Sequence, residues 1–568
     1  MISRTNFLQL ARIYEKLEQI SSGNSLRIVL SDFFKSIPKS EVHFVAYLTL
    51  GKIAPDYVDI NLGMADKMVL RALCTATNKS FNAIVKEYKN SGDVGFVAEK
   101  FVGVQKRQLL VKEVFDYLHA IAKLQGTGSQ EKKKLILAKL FVAASPIEAR
   151  YLARIVVGQL RLGVGDKTII DSLAIAFAGG KSAKKILERA YATCPDIGLI
   201  AQAIVYSGLN SVAHINIKVG RPVQMMLAQR VDSIAVIADK MHGLIAAEEK
   251  YDGERIQVHA NNGRIILYSR RLENITNQFP DVIAALKKNV CAKKYVLEGE
   301  VVPVDKKGNL LPFQTLMARR RKYDIKTYVS KVPVYFYVFD LLLLNNKSFL
   351  DVPYPKRRAA LESITLDGPL VFLAKRIVSE DLDNIKMFFN NVLKRGCEGI
   401  VAKSCADDSF YTPGARGWLW IKWKREYQKE LVDTFDLVVV GAFAGKGRRQ
   451  GTYGALLCAV YNSDNDVFET FCKLGTGFSD KDLKELPKLF PAVHQKPKNI
   501  IVADNMIPDF WIEPKIVVEV IGAEITKSPS HTAANGYALR FPRFMHYRKD
   551  KSPKQATTTK EILQITRK

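Results

Sequence analysis

The chain has 568 residues, 48% of them hydrophobic, with 85 lysine and arginine residues against 57 aspartate and glutamate residues, a formal net charge of +28. This length and apolar content exclude a disordered chain and predict three or four domains of roughly 150 to 200 residues each. The positive surplus favours an extended polyanion as the partner.

Neither a membrane segment nor a secretion signal is indicated. No apolar run approaches the roughly 18 residues that a membrane-spanning helix needs. Near the N-terminus, Phe7, Leu10, Tyr14 and Leu17 have the spacing of an amphipathic helix rather than of a signal peptide. The seven cysteines include no C-x-x-C pair, which argues against a disulfide framework and against a zinc finger. We therefore expect a cytoplasmic protein that is not secreted and has no membrane partner.

Residues 1–235 have an almost entirely helical pattern, with apolar stripes at a period of 3.6 residues. Two glycine-rich stretches, GVGDKT from Gly163 and GGKS from Gly179, lack the spacing and the preceding strand of a phosphate-binding P-loop. Gly163 and Gly165 still admit two interpretations: a turn that presents N–H groups to a DNA phosphate, or a plain connection between helices.

Residues 236–425 change to a mixed pattern, in which strand-like runs such as KYVLEGEVVPV from Lys294 alternate with helical runs such as DLDNIKMFFNNVLKRG from Asp381. This pattern predicts antiparallel sheets with helices packed outside. Residues 426–568 contain short strands separated by glycine-rich turns, which favour a small barrel.

One stretch, EEKYDGER from Glu248 to Arg255, stands out because it places a lysine just before an Asp-Gly turn. We expect the preceding LIAA run to be helical and the following IQVH run to be a strand. Lys250 is a candidate nucleophile, which would require a lowered ammonium pKa. Taken alone, an ordinary turn with a solvated lysine is the more common explanation of such a stretch.

Further motifs follow this stretch in a fixed order. They are YSRRLENIT, LEGE, FYVFDLLLLN, CEGIVAKS, GWLWIKWKREY and LRFPRFMHYRKDK, which begin at Tyr268, Leu297, Phe336, Cys397, Gly417 and Leu539. Together with KYDGER they resemble the motifs of the ATP-dependent DNA ligases of the archaeal and eukaryotic replicative type.

The resemblance implies a fold and an activity. The fold would comprise an all-α DNA-binding domain over residues 1–235, an α+β nucleotidyltransferase (adenylation) domain over 236–425, and an OB-fold β-barrel with a basic tail over 426–568. The activity would be the sealing of nicks between a 5′-phosphate and a 3′-hydroxyl in double-stranded DNA, through a lysyl-AMP, in replication, repair and recombination. ATP would be the co-substrate, Mg²⁺ the metal, and the enzyme a monomer that is associated with the nucleoid if it is archaeal.

The resemblance also assigns roles to individual residues. Lys250 would carry AMP, Glu248 would read the adenine amino group, and Glu300 would bind the ribose or the metal. Phe339 would stack on the base, although a core aromatic is an equally good interpretation of its aromatic run. The other implied residues are Arg255, Arg270 and Arg416 on the nucleotide, Lys422 and Lys424 on the α-phosphate, Glu398 on the metal, and Arg548, Asp550 and Lys551 on the departing pyrophosphate.

Strand periodicity tests some of these assignments. Lys422 and Lys424 are two residues apart, so both would lie on one face of a strand and could together lower the pKa of Lys250. Glu398 and Lys403 are five apart and would face opposite sides unless the chain bends between them.

Three further stretches stay open. The cluster from Arg319 to Lys322 would track DNA phosphates or form a solvated helix end. Residues 425–428 are the expected pivot for the C-terminal domain. Gln108, Val111 and Phe115 resemble a sliding-clamp-binding peptide but lack its paired aromatic ending, so a core helix is favoured there and a clamp remains a candidate partner.

Two other functions compete with this interpretation. An RNA-capping guanylyltransferase or an RNA ligase shares the K-x-D-G and carboxylate motifs, but would not need the helical first 235 residues. An inactive nucleotidyltransferase that serves as a DNA-binding clamp would not need the lysine or the carboxylates.

Overall fold

The computed structural model describes residues 4–103, 108–320, 325–424, 434–445, 449, 451–522 and 524–567. The chain divides into two compact units. The first comprises Met1–Phe81 and Ala98–Gln428, and the second comprises Asn82–Val97 and Lys429–Lys568.

Helices fill the first part of the chain, as the apolar periodicity predicts. They are α1 (Phe7–Glu18), α2 (Gly23–Ser36), α3 (Val42–Thr49), α4 (Asp66–Thr77), α5 (Phe81–Ser91), α6 (Val94–Phe101), α7 (Val111–Lys123), α8 (Ser129–Ala143), α9 (Pro146–Val156), α10 (Asp166–Phe177), α11 (Lys181–Thr193) and α12 (Ile197–Ala213). The predicted stripe of α1 is confirmed, because Phe7, Leu10, Tyr14 and Leu17 are all buried.

The rest of the first unit alternates strands and helices. Its strands are β1 (Leu227–Val231), β2 (Ile245–Lys250), β3 (Glu254–Asn261), β4 (Arg264–Ser269), β5 (Lys294–Pro303), β6 (Val334–Leu344), β7 (Lys347–Ser348), β8 (Val371–Leu373), β9 (Arg376–Ser379), β10 (Gly399–Ser404) and β11 (Arg416–Lys424). Its helices are α13 (Ile234–Lys240), α14 (Pro280–Asn289), α15 (Phe313–Leu316), α16 (Ile325–Lys331), α17 (Tyr354–Ile364) and α18 (Leu382–Lys394).

These strands form two sheets. One has the order β1-β11-β10-β2-β9, and the other has the order β4-β3-β5-β6-β7 with β8 beside β6. Neighbouring strands are antiparallel, as predicted, except that β1 pairs with β11 and β8 pairs with β6 in parallel. Apolar cores pack on both sheets, so each sheet is held rigidly enough to position side chains between them.

The helix expected at the LIAA run is wrong, because Ile245–Lys250 is the strand β2. Alanine favours a helix in isolation. Here β2 is hydrogen-bonded on one side to β10 and on the other to β9, and Ile245, Ala246 and Ala247 are buried. Burial between two partner strands outweighs a propensity difference of less than about 1 kcal/mol per residue.

The boundary expected after residue 235 also differs. The long helical run ends with α12 at Ala213, and β1 already pairs with β11 in the second region. Val231 packs in the same apolar core as Ile400 and Trp423. Residues 227–235 therefore belong with the sheets. A five-residue strand, followed at once by a short helix, produces no clear change of periodicity in the sequence.

The second unit is rich in strands. These are β12 (Phe435–Ala444), β13 (Tyr453–Asn462), β14 (Val467–Leu474), β15 (Ala492–Val493), β16 (Ile500–Ile501), β17 (Phe510–Ile512), β18 (Val517–Ile521), β19 (Glu524–Lys527), β20 (Tyr537–Arg540) and β21 (Arg543–Tyr547), with helices α19 (Asp480–Leu489) and α20 (Thr559–Arg567). Alternate residues of β12 enter two cores: Leu437 and Val439 lie in one, and Val438 and Val440 in the other. The strand is thus buried on both faces.

Within the residues that the structure describes, no helix is both long enough and apolar enough to cross a bilayer.

Candidate active site

A cavity of about 340 Å³ lies between the two sheets of the first unit. Strands of the first sheet supply Lys250, Lys422 and Lys424 to its wall, and strands of the other supply Glu300 and Phe339. The predicted nucleotide and metal residues all line it, namely Glu248, Lys250, Arg255, Arg270, Glu300, Phe339, Glu398, Arg416, Lys422 and Lys424. Residues far apart in the sequence thus share one polar cavity.

At one wall, a carboxylate bridges two lysines. Glu398 Oε2 lies 2.6 Å from Lys250 Nζ, and Glu398 Oε1 lies 2.7 Å from Lys424 Nζ. Strand register explains the meeting, because Gly399 of β10 is paired with Lys250 of β2 on one side and with Lys424 of β11 on the other. Burial raises the pKa of Glu398, but the two ammonium groups outweigh burial and lower it overall. Glu398 is therefore held as a carboxylate.

The bend that the spacing of Glu398 and Lys403 required is present at Gly399. This glycine has a φ of +148°, a conformation that side-chain-bearing residues rarely adopt. The bend lets Glu398 and Lys403 line the same cavity although they are five residues apart.

Lys422 is a cavity lysine whose pKa is lowered. Burial lowers its pKa to about 8, assisted by the positive charges of Lys250, Lys424, Arg416 and Arg270. The prediction that Lys422 and Lys424 lie on one strand face is confirmed, since both line the cavity. The predicted lowering of the Lys250 pKa by these two residues stays a prediction.

Glu300 lies across the cavity on β5. Burial raises its pKa to about 7; Lys250 and Arg255 oppose the rise, while Glu398 and Asp252 add to it. Carboxylates that raise one another's pKa mark a place where a cation is favourable. Among the described residues, no group of three or more His, Cys, Asp or Glu side chains is arranged to hold a metal alone.

Two carboxylates nevertheless fit Mg²⁺, which proteins commonly hold through one or two carboxylates together with substrate phosphates. Glu300 and Glu398 are the two predicted metal residues, and both line the cavity.

Arg255 lies beside the aromatic wall. It donates to Glu298 Oε2 at 2.6 Å and to the Met226 carbonyl at 2.8 Å, and its guanidinium lies 5.3 Å from the ring centres of both Phe339 and Trp420. Phe339 is only partly buried and also packs against two apolar cores. It therefore has both a core contact and a surface in the cavity, and the two interpretations of its role are compatible.

Glu248 is buried deepest among the acidic residues of the cavity, with 3% of its surface exposed. Its Oε2 lies 2.6 Å from Lys403 Nζ, and its Oε1 accepts a hydrogen bond from the Tyr354 hydroxyl. Arg358 Nη1 lies 3.5 Å from the same Oε1. Both carboxylate oxygens therefore have fixed partners.

The three C-terminal residues form a cluster within the second unit. Arg548 pairs with Asp436 at 3.0 Å and with Asp550 at 2.8 Å, and Lys551 pairs with Asp436 at 2.6 Å. Glu519 lies 3.4 Å from Arg548. The structure thus brings these residues together as an ionic group on the strand-rich unit.

Three known family descriptions match this chain in succession: DNA ligase N terminus over residues 6–174, ATP dependent DNA ligase domain over 225–424, and ATP dependent DNA ligase C terminal region over 449–551. The chain is 44% identical to DNA ligase 1 of Methanosarcina acetivorans, with 98% of each chain covered. It is also 44% identical to DNA ligase 2 of Thermofilum pendens, over 98% of this chain and 96% of that one.

The chain belongs to the ATP-dependent DNA ligase family. A solved structure titled Pmar-Lig_PreS3 has the same fold, with a TM-score of 0.56, 19% identity, and coverage of 95% of this chain and 99% of that one. The resemblance drawn from the motifs is confirmed. So is the expected order of a helical region, a nucleotidyltransferase domain and a strand-rich domain in this ligase family.

Sequence reasoning missed Tyr354 and Arg358, which contact Glu248 of the ligase cavity without lining the cavity themselves. Both lie on α17, 106 and 110 residues after Glu248. The PYPKRR stretch that holds them begins a helix after a proline, and it lies outside the motifs quoted above. Only the arrangement of α17 against β2 reveals the contact.

Both interpretations of the Arg319 cluster are wrong for Arg319 itself. This side chain is 2% exposed and donates two hydrogen bonds to Asp281, at 3.0 and 2.9 Å, and one to the Val332 carbonyl at 2.8 Å. It is therefore structural. Residues 321–324 and the expected pivot at residues 425–428 lie outside the described residues.

Two open stretches remain in this ligase, and the structure favours one interpretation for only one of them. Gly163 has a φ of +69° and Gly165 caps α10, which fits either a phosphate turn or a helix connection. Val111 and Phe115 are buried on α7, as expected of a core helix. Residues 104–107, just before this stretch, lie outside the described residues.

The conformation of Gly399 predicts that the ligase site does not tolerate a side chain at this position. A Cβ atom at this position would lie 2.1 Å from the Trp423 carbonyl oxygen, so β11 would have to move. We expect Gly399→Ala to destabilise the protein by about 1–3 kcal/mol, measured as a lower unfolding midpoint in denaturant. Gly417→Ala on β11 is the matched control, because an added Cβ there meets nothing within 4 Å. Equal stability of the two variants would contradict the bend.

Proposed function

We propose that this chain seals nicks in duplex DNA in three steps, with Lys250 as the nucleophile. Its Nζ attacks the α-phosphorus of ATP, so that a P–N bond forms and the bond to pyrophosphate breaks. The 5′-phosphate at the nick then takes AMP from the lysine, and the 3′-hydroxyl displaces AMP as the strand is joined. Nick sealing is the function of the family, and the observation that carries the assignment is the cation-rich cavity around Lys250.

The geometry supports the first step in two ways. A lysine attacks only as a neutral amine, so a site that disfavours positive charge promotes the reaction. Lys422 lines the same cavity, and its positive charge and that of Lys250 disfavour each other. Glu398 Oε2, 2.6 Å from Lys250 Nζ, orients the amine before ATP binds.

The other cavity residues would hold the nucleotide. Glu248 would accept from the adenine amino group, and Phe339 would stack on the base. Arg255, Arg270 and Arg416 would contact the sugar and phosphates, and Lys422 and Lys424 the α-phosphate. Glu300 and Glu398 would hold Mg²⁺, which when bound would offset the negative charge of the triphosphate.

The helical region would hold DNA through its phosphates, and the net charge of +28 of the whole chain favours such a polyanionic partner. The helical region also argues against an RNA-capping guanylyltransferase or an RNA ligase, because residues 6–174 match the DNA ligase N terminus. An inactive nucleotidyltransferase would not keep Lys250, Glu300 and Glu398 together in one cavity. Monomeric state, a cytoplasmic location and a sliding-clamp partner remain predictions.

The proposal is tested by the covalent intermediate. Mixing the protein with ATP labelled at the α-phosphate should leave one acid-labile, base-stable AMP on Lys250, located by peptide mapping. Lys250→Arg keeps the charge but does not readily deprotonate, so it should abolish the label. Lys375→Arg, at a lysine absent from the cavity lining, is the control and should label normally. AMP on another lysine would contradict the assignment.

The pKa of Lys422 predicts how ATP affinity depends on pH. Below pH 8 the ammonium is charged and attracts the phosphates; above pH 8 it is neutral, and binding must take up a proton. The Kd of a non-cleavable ATP analogue should therefore rise by up to about tenfold per pH unit between pH 8 and 10. Lys422→Arg stays charged and should flatten this rise. An unchanged slope in the arginine variant would assign the effect to another group.

We further propose that Arg548 and Lys551 act in the first step only, on the departing pyrophosphate. Loss of one such charge typically costs a factor of about 10²–10³ in the step that it stabilises. Arg548→Ala should slow AMP transfer from ATP to Lys250 by this order and leave sealing of a pre-adenylated nick within about twofold. Arg540→Ala removes an exposed arginine paired with Glu524 in the same unit and is the control. Equal losses of Arg548→Ala in both single-turnover assays would contradict the role.

A further inference from the structure

The carboxylate of Glu248 is held in place by a contact from α17, a helix that contributes no side chain to the cavity lining. Tyr354, on the first turn of this helix, donates its hydroxyl proton to Glu248 Oε1. Lys403 holds the other oxygen at 2.6 Å. With both oxygens engaged, the carboxylate group can neither rotate nor shift sideways without breaking a buried contact.

The direction of the Tyr354 hydrogen bond is set by a second residue. Arg376 Nη1 donates to the Tyr354 oxygen at 3.0 Å, which leaves the phenolic proton for Glu248. Burial and the Glu248 charge both raise the pKa of Tyr354, so the phenol keeps its proton. The backbone of Tyr354 is fixed as well, because its N–H donates to Ser409 Oγ at 3.0 Å.

The placement of a carboxylate decides which purine it accepts. Adenine offers a 6-amino donor, and a carboxylate opposite that group accepts its proton. Guanine has a 6-oxo acceptor at the same position, which a carboxylate repels, but its neighbouring N1–H and 2-amino groups are donors. A carboxylate free to shift by a bond length could therefore accept from guanine, and one held still could not.

We propose that Tyr354 is a positioning residue for nucleobase selection, which holds Glu248 opposite the 6-amino group of adenine and so excludes guanine. The inference rests on the proposed function, in which Glu248 faces the base. Arg376 supports it indirectly by orienting the Tyr354 hydroxyl. Tyr354 itself does not line the cavity.

The test is single-turnover labelling of Lys250 by three α-labelled triphosphates: ATP, GTP and purine riboside triphosphate, which lacks the 6-amino group. In the wild-type protein, ATP should be used far better than either alternative. Tyr354→Phe removes only the hydroxyl, and it should reduce the preference for ATP over each of the other two by about ten- to hundredfold in the ratio of rate constant to half-saturation concentration. The labelling ratio is the readout, since general damage lowers all three rates together.

Two further variants make the result specific. Tyr453→Phe removes a buried hydroxyl that donates to the Phe490 carbonyl at 2.9 Å in the second unit, and should leave the ratios unchanged. Arg376→Leu removes the donor to Tyr354 and should shift the ratios in the same direction as Tyr354→Phe. Because Arg376 retains 21% side-chain exposure, this variant also serves if Tyr354→Phe lowers the unfolding midpoint too far to assay.

Two outcomes distinguish a failure of the proposed function from a failure of the positioning role of Tyr354. No label from ATP in the wild-type protein would overturn the proposed function and this inference with it. Normal labelling of the wild type, with equal loss for all three triphosphates in Tyr354→Phe and Arg376→Leu, would overturn only the positioning role.

Discussion

The bridge from Lys250 through Glu398 to Lys424 is the interaction on which the rest of the cavity depends. Seven cationic and four acidic side chains line this space. Cations packed this closely repel one another, and each also loses hydration on burial. Glu398 offsets part of that cost at two lysines simultaneously, with distances of 2.6 and 2.7 Å. The seven cationic side chains exceed the four acidic ones by three, and the protein does not neutralise this excess within the cavity. The excess positive charge complements a polyphosphate.

Backbone register makes this bridge possible. Lys250 ends β2, Lys424 ends β11, and β10 lies between them with Gly399 paired to both. The residue before Gly399 therefore reaches both lysines without a long side chain or a loop. Because each partner is held by strand pairing, a shift of one strand would move the whole group, so rigid sheets are a condition of the chemistry.

Much of this organisation could be predicted from the sequence. The strand-like run KYVLEGEVVPV located β5, and the two-residue spacing placed Lys422 and Lys424 on one face. The family motifs identified cavity residues that no periodicity could connect. The predictions that were wrong concern single stretches whose structure depends on tertiary contacts. The LIAA run favours a helix by propensity, and only its two partner strands make it β2. Arg319 resembles a surface cation, and only the tertiary contact with Asp281 shows that it is buried.

A buried network of side-chain hydrogen bonds also connects the cavity to the segment that joins the helical region to the sheets. Arg255 donates to Glu298, whose other oxygen accepts from Gln257 at 3.0 Å. Gln257 in turn accepts from the Val223 N–H at 2.8 Å and donates to the Val223 carbonyl at 3.1 Å.

Next along β3, His259 accepts from the Gly220 N–H, and burial lowers the pKa of this imidazole to about 3, so it stays a neutral acceptor. Each buried polar group in this network is a hydrogen-bond partner of the next. Loss of one group would leave its partner without a hydrogen bond, at a cost of about 1–3 kcal/mol of stability. The backbone at Gly220 and Val223 is thereby connected to Arg255 through His259, Gln257 and Glu298. Displacement of the joining segment would consequently disturb Arg255 beside Phe339, which makes the position of this segment part of the architecture of the cavity wall.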